Sequence, residues 1–367
     1  MRGQMMYGTA FEDRWRQLPT SSELFGPVDP EKMERKQFCR EVVDCFERYG
    51  IVFMTAPKTD EELTDDMMRA MGQFFAASEA VQRQTITENF QGGLLPEGTE
   101  RPDPDEQASH FARLSPENYP FPTPNDRDMF KKRFMVKVGD APPMTRFPGL
   151  TPATKIIAGH ERLYELCARW GNRMLPRMRI LLDAYAEYYG LSPTSFPTYH
   201  GAHFVAPTGS DFVQYRPGTV IADVHGDMGF VTGHDPSKVV FGDNLELRPC
   251  GGLVGWSSDG RLFRVVVPKG TQPWQGGFQF RHMTGGRVHA GMHQVIVPPE
   301  AADIADEARR RGTTAMRTTG TIFCHGTADE KARVPDVFRQ PGIDYEDIYL
   351  GDIDERVLKK IELQPNT

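Results

Sequence analysis

The chain has 367 residues, with 43 Lys and Arg against 50 Asp and Glu and a formal net charge of −7. That balance argues against nucleic acid as the main partner, because phosphate binding needs a basic surplus on at least one face. Its five cysteines (Cys39, Cys45, Cys167, Cys250, Cys324) are odd in number and lack any C-x-x-C spacing, which excludes a disulfide framework and a cysteine-type zinc site. The opening residues lack the apolar run of a signal peptide, and no stretch of about 18 apolar residues occurs, so a cytoplasmic location without a membrane partner is expected.

Between Pro30 and Gly50, the residues Phe38, Val42, Cys45, Phe46 and Tyr49 recur at three- and four-residue spacing, which predicts an amphipathic helix stopped at Gly50. Ile51–Thr55 (IVFMT) reads as a short buried strand. A second helix, capped at Thr59 or Asp60, then carries Leu63, Met67, Met71, Phe74 and Phe75. From about Phe90 to Pro148 the sequence is rich in Pro, Gly and charge with little period, which predicts a long irregular segment of the kind that packs over a site as a lid. A long helical stretch follows from Thr151 to about Gly190, interrupted near Pro176, with a stripe of Ile156, Leu163, Leu166, Trp170, Leu181, Leu182 and Tyr185.

From His200 the texture changes to short β-type runs: HFVAP, FVQY, TVIADVHGD, MGFVT, LVGWS, RLFRVVVP, GFQF, HQVIVP and GTIFCH. Only the stretch near Pro299–Arg311 interrupts them as a helix, and DIDERVLKKIELQ closes the chain as another. Many short strands at close spacing predict an antiparallel barrel or sandwich, so the fold class is mainly β with flanking α-helices. The expected division is a helical N-terminal region with the lid-like segment (1–150), long supporting helices (151–199), the β core (200–330) and a C-terminal tail and helix (331–367), all in one compact unit.

His225-Gly226-Asp227 is an H-x-D sequence, and on a strand residues i and i+2 point to the same face, so imidazole and carboxylate converge. A third donor, His293 in TGGRVHAGMHQVIV, lies in a second β-run that can face the first. Two histidines and one carboxylate leave three neighbouring positions open on an octahedral ion, the set suited to Fe(II); zinc accepts the same donors. His203, His234, His282, His289, His325 and Asp223 are competing donors in the same half of the chain. Tyr215, ten residues before His225, offers a phenolic contact to a bound carboxylate or to substrate.

Five segments carry a resemblance by their order: FCREVVDCFERYGIVFMTAPKTDEELTDDMMRAMGQFFAAS, VHGDMGFVTGH, GGLVGWSSDGRLFRVVVPKG, TGGRVHAGMHQVIV and MRTTGTIFCHG. With them the chain resembles the isopenicillin N synthase-like Fe(II)/2-oxoglutarate-dependent dioxygenases. The resemblance implies a double-stranded β-helix (jelly-roll) barrel, Fe(II) held by His225, Asp227 and His293, and Arg317 with Thr319 as the clamp for the far carboxylate of 2-oxoglutarate. It implies O2 as the second co-substrate, a small natural-product or amino-acid type of substrate, and oxidation of an unactivated C–H bond with succinate and CO2 as co-products. The sequence departs from the family pattern in the added HDPSKVVFGDNLELRPC stretch, in the helix PPEAADIADEARRR between His293 and Arg317, and in lacking V-x-x-G-D before the TGG turn. Two other readings stay open: an O2-only oxidase or cyclase of the isopenicillin N synthase kind, and a non-catalytic metal-binding barrel. Arg287 is the alternative clamp.

Overall fold

The computed structural model describes residues 9–87, 90–122, 131–139, 144–198, 203–205 and 215–363. Its architecture is mixed helix and sheet with a β-rich core of three antiparallel sheets. The largest has seven strands, in spatial order Ile51–Thr55, Thr271–Gly276, Val231–His234, Thr321–Cys324, His203–Val205, Arg133–Lys137 and Gly93–Leu95. A four-stranded sheet runs Leu262–Arg264, Leu253–Trp256, His293–Ile296, Val220–His225, and a three-stranded one runs Ala315–Thr318, Lys238–Phe241, Glu246–Pro249. Among the described residues the hydrogen-bonded ladders do not close into a barrel.

The first helix of the expected helix–strand–helix unit spans Arg35–Tyr49, and its stripe of Phe38, Val42, Cys45 and Phe46 is buried. Glu34 caps it by accepting from the Gln37 amide at 3.1 Å. Gly50 ends it in the left-handed conformation at φ 64°, where an added Cβ would also lie 2.7 Å from the His289 carbonyl oxygen, so only glycine fits. The strand Ile51–Thr55 follows directly and pairs along its whole length with Thr271–Gly276.

The next helix, Lys58–Ala76, starts before Thr59 or Asp60 could act as its cap. Pro57 occupies the cap position, and Asp60 faces the long helix Glu161–Tyr188, pairing with Arg173 at 2.8 Å and Arg177 at 3.3 Å. That long helix runs 28 residues through Pro176 without a break, and the residues before Glu161 are not helical, leaving Ile156 63% exposed. Proline inside a helix costs about 3 kcal/mol. Here Trp170, Met174, Met178, Leu181, Leu182 and Tyr185 are all buried on either side of it, and their packing outweighs the lost bond.

The segment expected to be irregular holds more order than its composition suggests. Gly93–Leu95 and Arg133–Lys137 add two strands to the edge of the large sheet, and between them the helix Pro104–Phe111 is capped by Asp103, which accepts from the Asp105 and Glu106 amides at 2.9 and 3.3 Å. Three further corrections fall in the β half. The added HDPSKVVFGDNLELRPC stretch forms the hairpin Lys238–Phe241 and Glu246–Pro249, and this hairpin pairs with the strand that carries Arg317. GFQF is no strand but the start of the helix Phe278–Met283, whose Gln279 and Phe280 are both fully buried. Thr271–Gly276, which has no apolar alternation, is a wholly buried strand. Most of FVQY lies outside the described residues. Among the described residues no helix is long and apolar enough to cross a membrane.

Candidate metal centre and the cavity around it

Strands Val220–His225 and His293–Ile296 are neighbours in the four-stranded sheet, and their register sets His225 directly opposite His293. The two ring centroids are 4.2 Å apart. Each ring is fixed through one nitrogen: His225 Nδ1 lies 2.6 Å from the Asp223 carbonyl oxygen, and His293 Nδ1 lies 2.7 Å from that of Gly291. A carbonyl only accepts, so Nδ1 carries the proton in both rings and each Nε2 presents its lone pair. Burial holds the His225 pKa well below its ordinary value, with His293 adding to the effect, which keeps that ring neutral and able to ligate.

Asp227 stands just past the strand end. Gly226 between it and His225 leaves room for Phe278: a Cβ there would lie 2.7 Å from Phe278 Cζ, so a larger residue would displace that ring. Asp227 is 6% exposed, and its Oδ2 is buried without a hydrogen-bond partner. A carboxylate oxygen in that position is costly unless a cation meets it. The donor atoms of His225, Asp227 and His293 all lie within 4.8 Å of one another, and among the described residues no other group of His, Cys, Asp and Glu does this. Four of the competing donors are engaged elsewhere. His234 binds Gln275 Oε1 through Nε2 at 2.6 Å, His289 Nε2 lies 2.8 Å from the Trp256 carbonyl oxygen, His325 Nδ1 lies 3.2 Å from Asp354 Oδ2, and Asp223 Oδ1 accepts from the Val224 amide at 2.8 Å.

The three residues open on a cavity of about 980 Å³ that is also lined by Arg317, Thr319 and Ser237. Arg317 is 3% exposed, and among the described residues it pairs with no carboxylate. Its Nη2 donates to Ser237 Oγ at 2.8 Å, and its Nε is buried without a partner. Burial lowers its pKa, but a guanidinium starts so high that it stays charged. A buried cation with unused donors is a receptor for an anion. The Thr319 hydroxyl donates to the Asp235 carbonyl oxygen at 2.8 Å, so its proton is already used. Ser237 accepts from Arg317 and keeps its own proton to give. Sequence reasoning missed this hydroxyl, which sits in the added stretch beside the hairpin.

Tyr215 is buried in an apolar cluster with Ile221, Val239 and Val297, near Arg317, and it does not line the cavity. Arg287, the alternative clamp, is on the surface with Glu47 at 3.1 Å. Below the clamp, buried Asp235 accepts from Thr64 and Gln272, each at 2.9 Å, and burial raises its pKa to about 6.

No protein-family model matches the sequence, and no curated protein matches it. Solved structures do. A 2OG-Fe(II) oxygenase family protein from Caulobacter crescentus superposes with a TM-score of 0.68 at 18% identity, covering 92% of this chain and 99% of the other. The fold is that of the 2OG-Fe(II) oxygenases. A full-length Neurospora crassa protein in complex with alpha-KG gives a TM-score of 0.63 at 14% identity, over 91% of this chain and 94% of that one. The dioxygenase for auxin oxidation 1 of Arabidopsis thaliana, solved with 2-oxoglutarate, gives 0.55 at 17% identity, over 89% and 98%. Within this 2OG-Fe(II) oxygenase fold, His225 and His293 face each other across two adjacent strands, and Arg317 approaches the same cavity from the small sheet.

Proposed function

We propose that the protein is a non-haem Fe(II)- and 2-oxoglutarate-dependent dioxygenase that oxidises an unactivated C–H bond of a small molecule, with succinate and CO2 as co-products. The observation that carries this reading is the coexistence, in one cavity, of a His–Asp–His donor set with an orphaned carboxylate oxygen and a buried arginine without a carboxylate partner among the described residues. On this reading His225 Nε2, His293 Nε2 and an Asp227 oxygen hold Fe(II), and the sheets belong to a double-stranded β-helix with its core in residues 200–330. The bound iron and keto acid supply O2 activation coupled to oxidative decarboxylation.

The chain's own residues bind and orient. Arg317 takes the far carboxylate of 2-oxoglutarate through its unpaired Nε, and Ser237, already hydrogen-bonded to the guanidinium, adds its hydroxyl proton. Thr319 acts through Asp235: its hydroxyl fixes the turn after the Arg317 strand and so the direction of the guanidinium. The carbonyls of Asp223 and Gly291 keep both imidazoles in the ligating tautomer.

The test is anaerobic. Fe(II) and then 2-oxoglutarate, added to the purified protein, should give the weak charge-transfer band at about 500–530 nm of a keto acid chelated to a ferrous ion with a facial set of ligands. Iron uptake without the band would turn the reading toward an O2-only oxidase; no iron uptake would defeat it.

A further inference from the structure

The wall of the cavity formed by the strand Arg133–Lys137 lies outside the residues assigned above to metal and keto acid. Lys131, Arg133 and Met135 alternate along this stretch and all three line the cavity. Both cations are buried, Lys131 at 7% and Arg133 at 8% exposure. Glu100 pairs with both, at 3.4 Å from Lys131 Nζ and also with Arg133. Arg133 Nε is nonetheless buried with no hydrogen-bond partner. This wall lines the same cavity as the metal ligands His225, Asp227 and His293. Beside it the lining turns apolar, with Met228, Phe278, Leu358 and Ile361.

We infer that the substrate is an organic acid, an apolar skeleton whose carboxylate is received by Arg133 and Lys131 while the skeleton lies on Met135, Phe278 and Leu358. The inference rests on the oxygenase reading above and gives the substrate class. Two stations for anions then exist in one cavity. Arg317 has no carboxylate of its own and takes the keto acid; Arg133 already shares Glu100 and uses its remaining donor for the substrate. Anchoring the acid end on a wall of the cavity that holds the ligands fixes which C–H bond of the skeleton faces the iron.

The experiment uses protein loaded anaerobically with Fe(II) and 2-oxoglutarate, and titrates it by calorimetry with octanoate and phenylacetate, and with octanamide and phenylacetamide as neutral counterparts. At least one acid should bind, with its amide at least tenfold weaker. Arg133→Met should weaken the acid tenfold or more while leaving the charge-transfer band unchanged, and Arg133→Lys should recover part of the loss. Arg317→Met should do the reverse, removing the band. Lys131→Met serves as a second variant should Arg133→Met not fold by circular dichroism. The inference is overturned if neither acid binds, if amides bind as well as acids, or if acid affinity survives Arg133→Met and Lys131→Met. Loss of the band in Arg133→Met would move the keto acid to this wall and also overturn it. Absence of the band in the unaltered protein would instead overturn the oxygenase reading.

Discussion

At the scale of single residues, the site rests on groups that have nowhere else to go. Asp227 Oδ2 and Arg317 Nε are both buried and unpartnered, and each costs free energy until an ion arrives. His225→Ala and Asp227→Ala should therefore abolish Fe(II) binding with the fold retained; full iron occupancy in both, measured by metal analysis, would sink the assignment. Arg317→Met should raise the apparent constant for 2-oxoglutarate at least tenfold, since a charge-assisted hydrogen bond is worth about 1.5–3 kcal/mol. Gly226→Ala should push Phe278 or swing Asp227, lowering iron affinity while leaving far-ultraviolet circular dichroism unchanged. The H-x-D spacing made His225 and Asp227 legible in the sequence because their separation is local. Lys131 and Arg133 were not, because they lie in a stretch whose prolines and charges hide a five-residue strand.

At the scale of elements, legibility followed periodicity. Helix Arg35–Tyr49, strand Ile51–Thr55 and helix Pro299–Arg311 carry clean apolar patterns and fall where those patterns put them. GFQF misleads because Gln279 and Phe280 are both buried, so four residues satisfy strand alternation and a helix turn alike. The hairpin from Lys238 to Pro249 misleads for the opposite reason: its second strand is largely solvent-facing and shows no apolar face. Several side-chain hydrogen bonds tie the 104–122 stretch to the four-stranded sheet, among them Gln107 to the Val224 carbonyl at 2.9 Å and Trp256 Nε1 to the Asn118 carbonyl at 2.8 Å. Gln294, fully buried, accepts from the Phe121 amide at 3.0 Å and donates to the Phe121 carbonyl at 2.8 Å. Gln294→Ala strands both groups, and urea unfolding should show a loss of about 1–3 kcal/mol with an unchanged slope.

For the molecule as a whole, buried histidines set the acid limit. Burial lowers His110, His234 and His289 each to about 4, so between that value and 6.5 the unfolded chain binds protons that the folded one does not. Their contribution is complete above about 6.5 and is lost as pH falls toward 4. Asp235, raised to about 6, and His325, raised by Asp354, work the other way, losing their contribution as pH rises, but His225 and His282, also lowered by burial, join the first set, and five groups outweigh two. The unfolding temperature should thus drop as pH is taken from about 6.5 to 4.5. His110→Phe should flatten that slope, since His110 packs edge-on to Trp256 with neither ring nitrogen hydrogen-bonded; an unchanged slope would assign the acid limit to the other buried histidines.

The pairing of Ile51–Thr55 with Thr271–Gly276 bears on biosynthesis. A ribosome adding about 5–20 residues per second leaves the first strand without its neighbour for roughly 10–40 s, a long interval for an apolar edge. Nascent chains arrested before residue 271 should therefore depend on chaperones, and release from that dependence should coincide with emergence of the 271–276 segment from the exit tunnel.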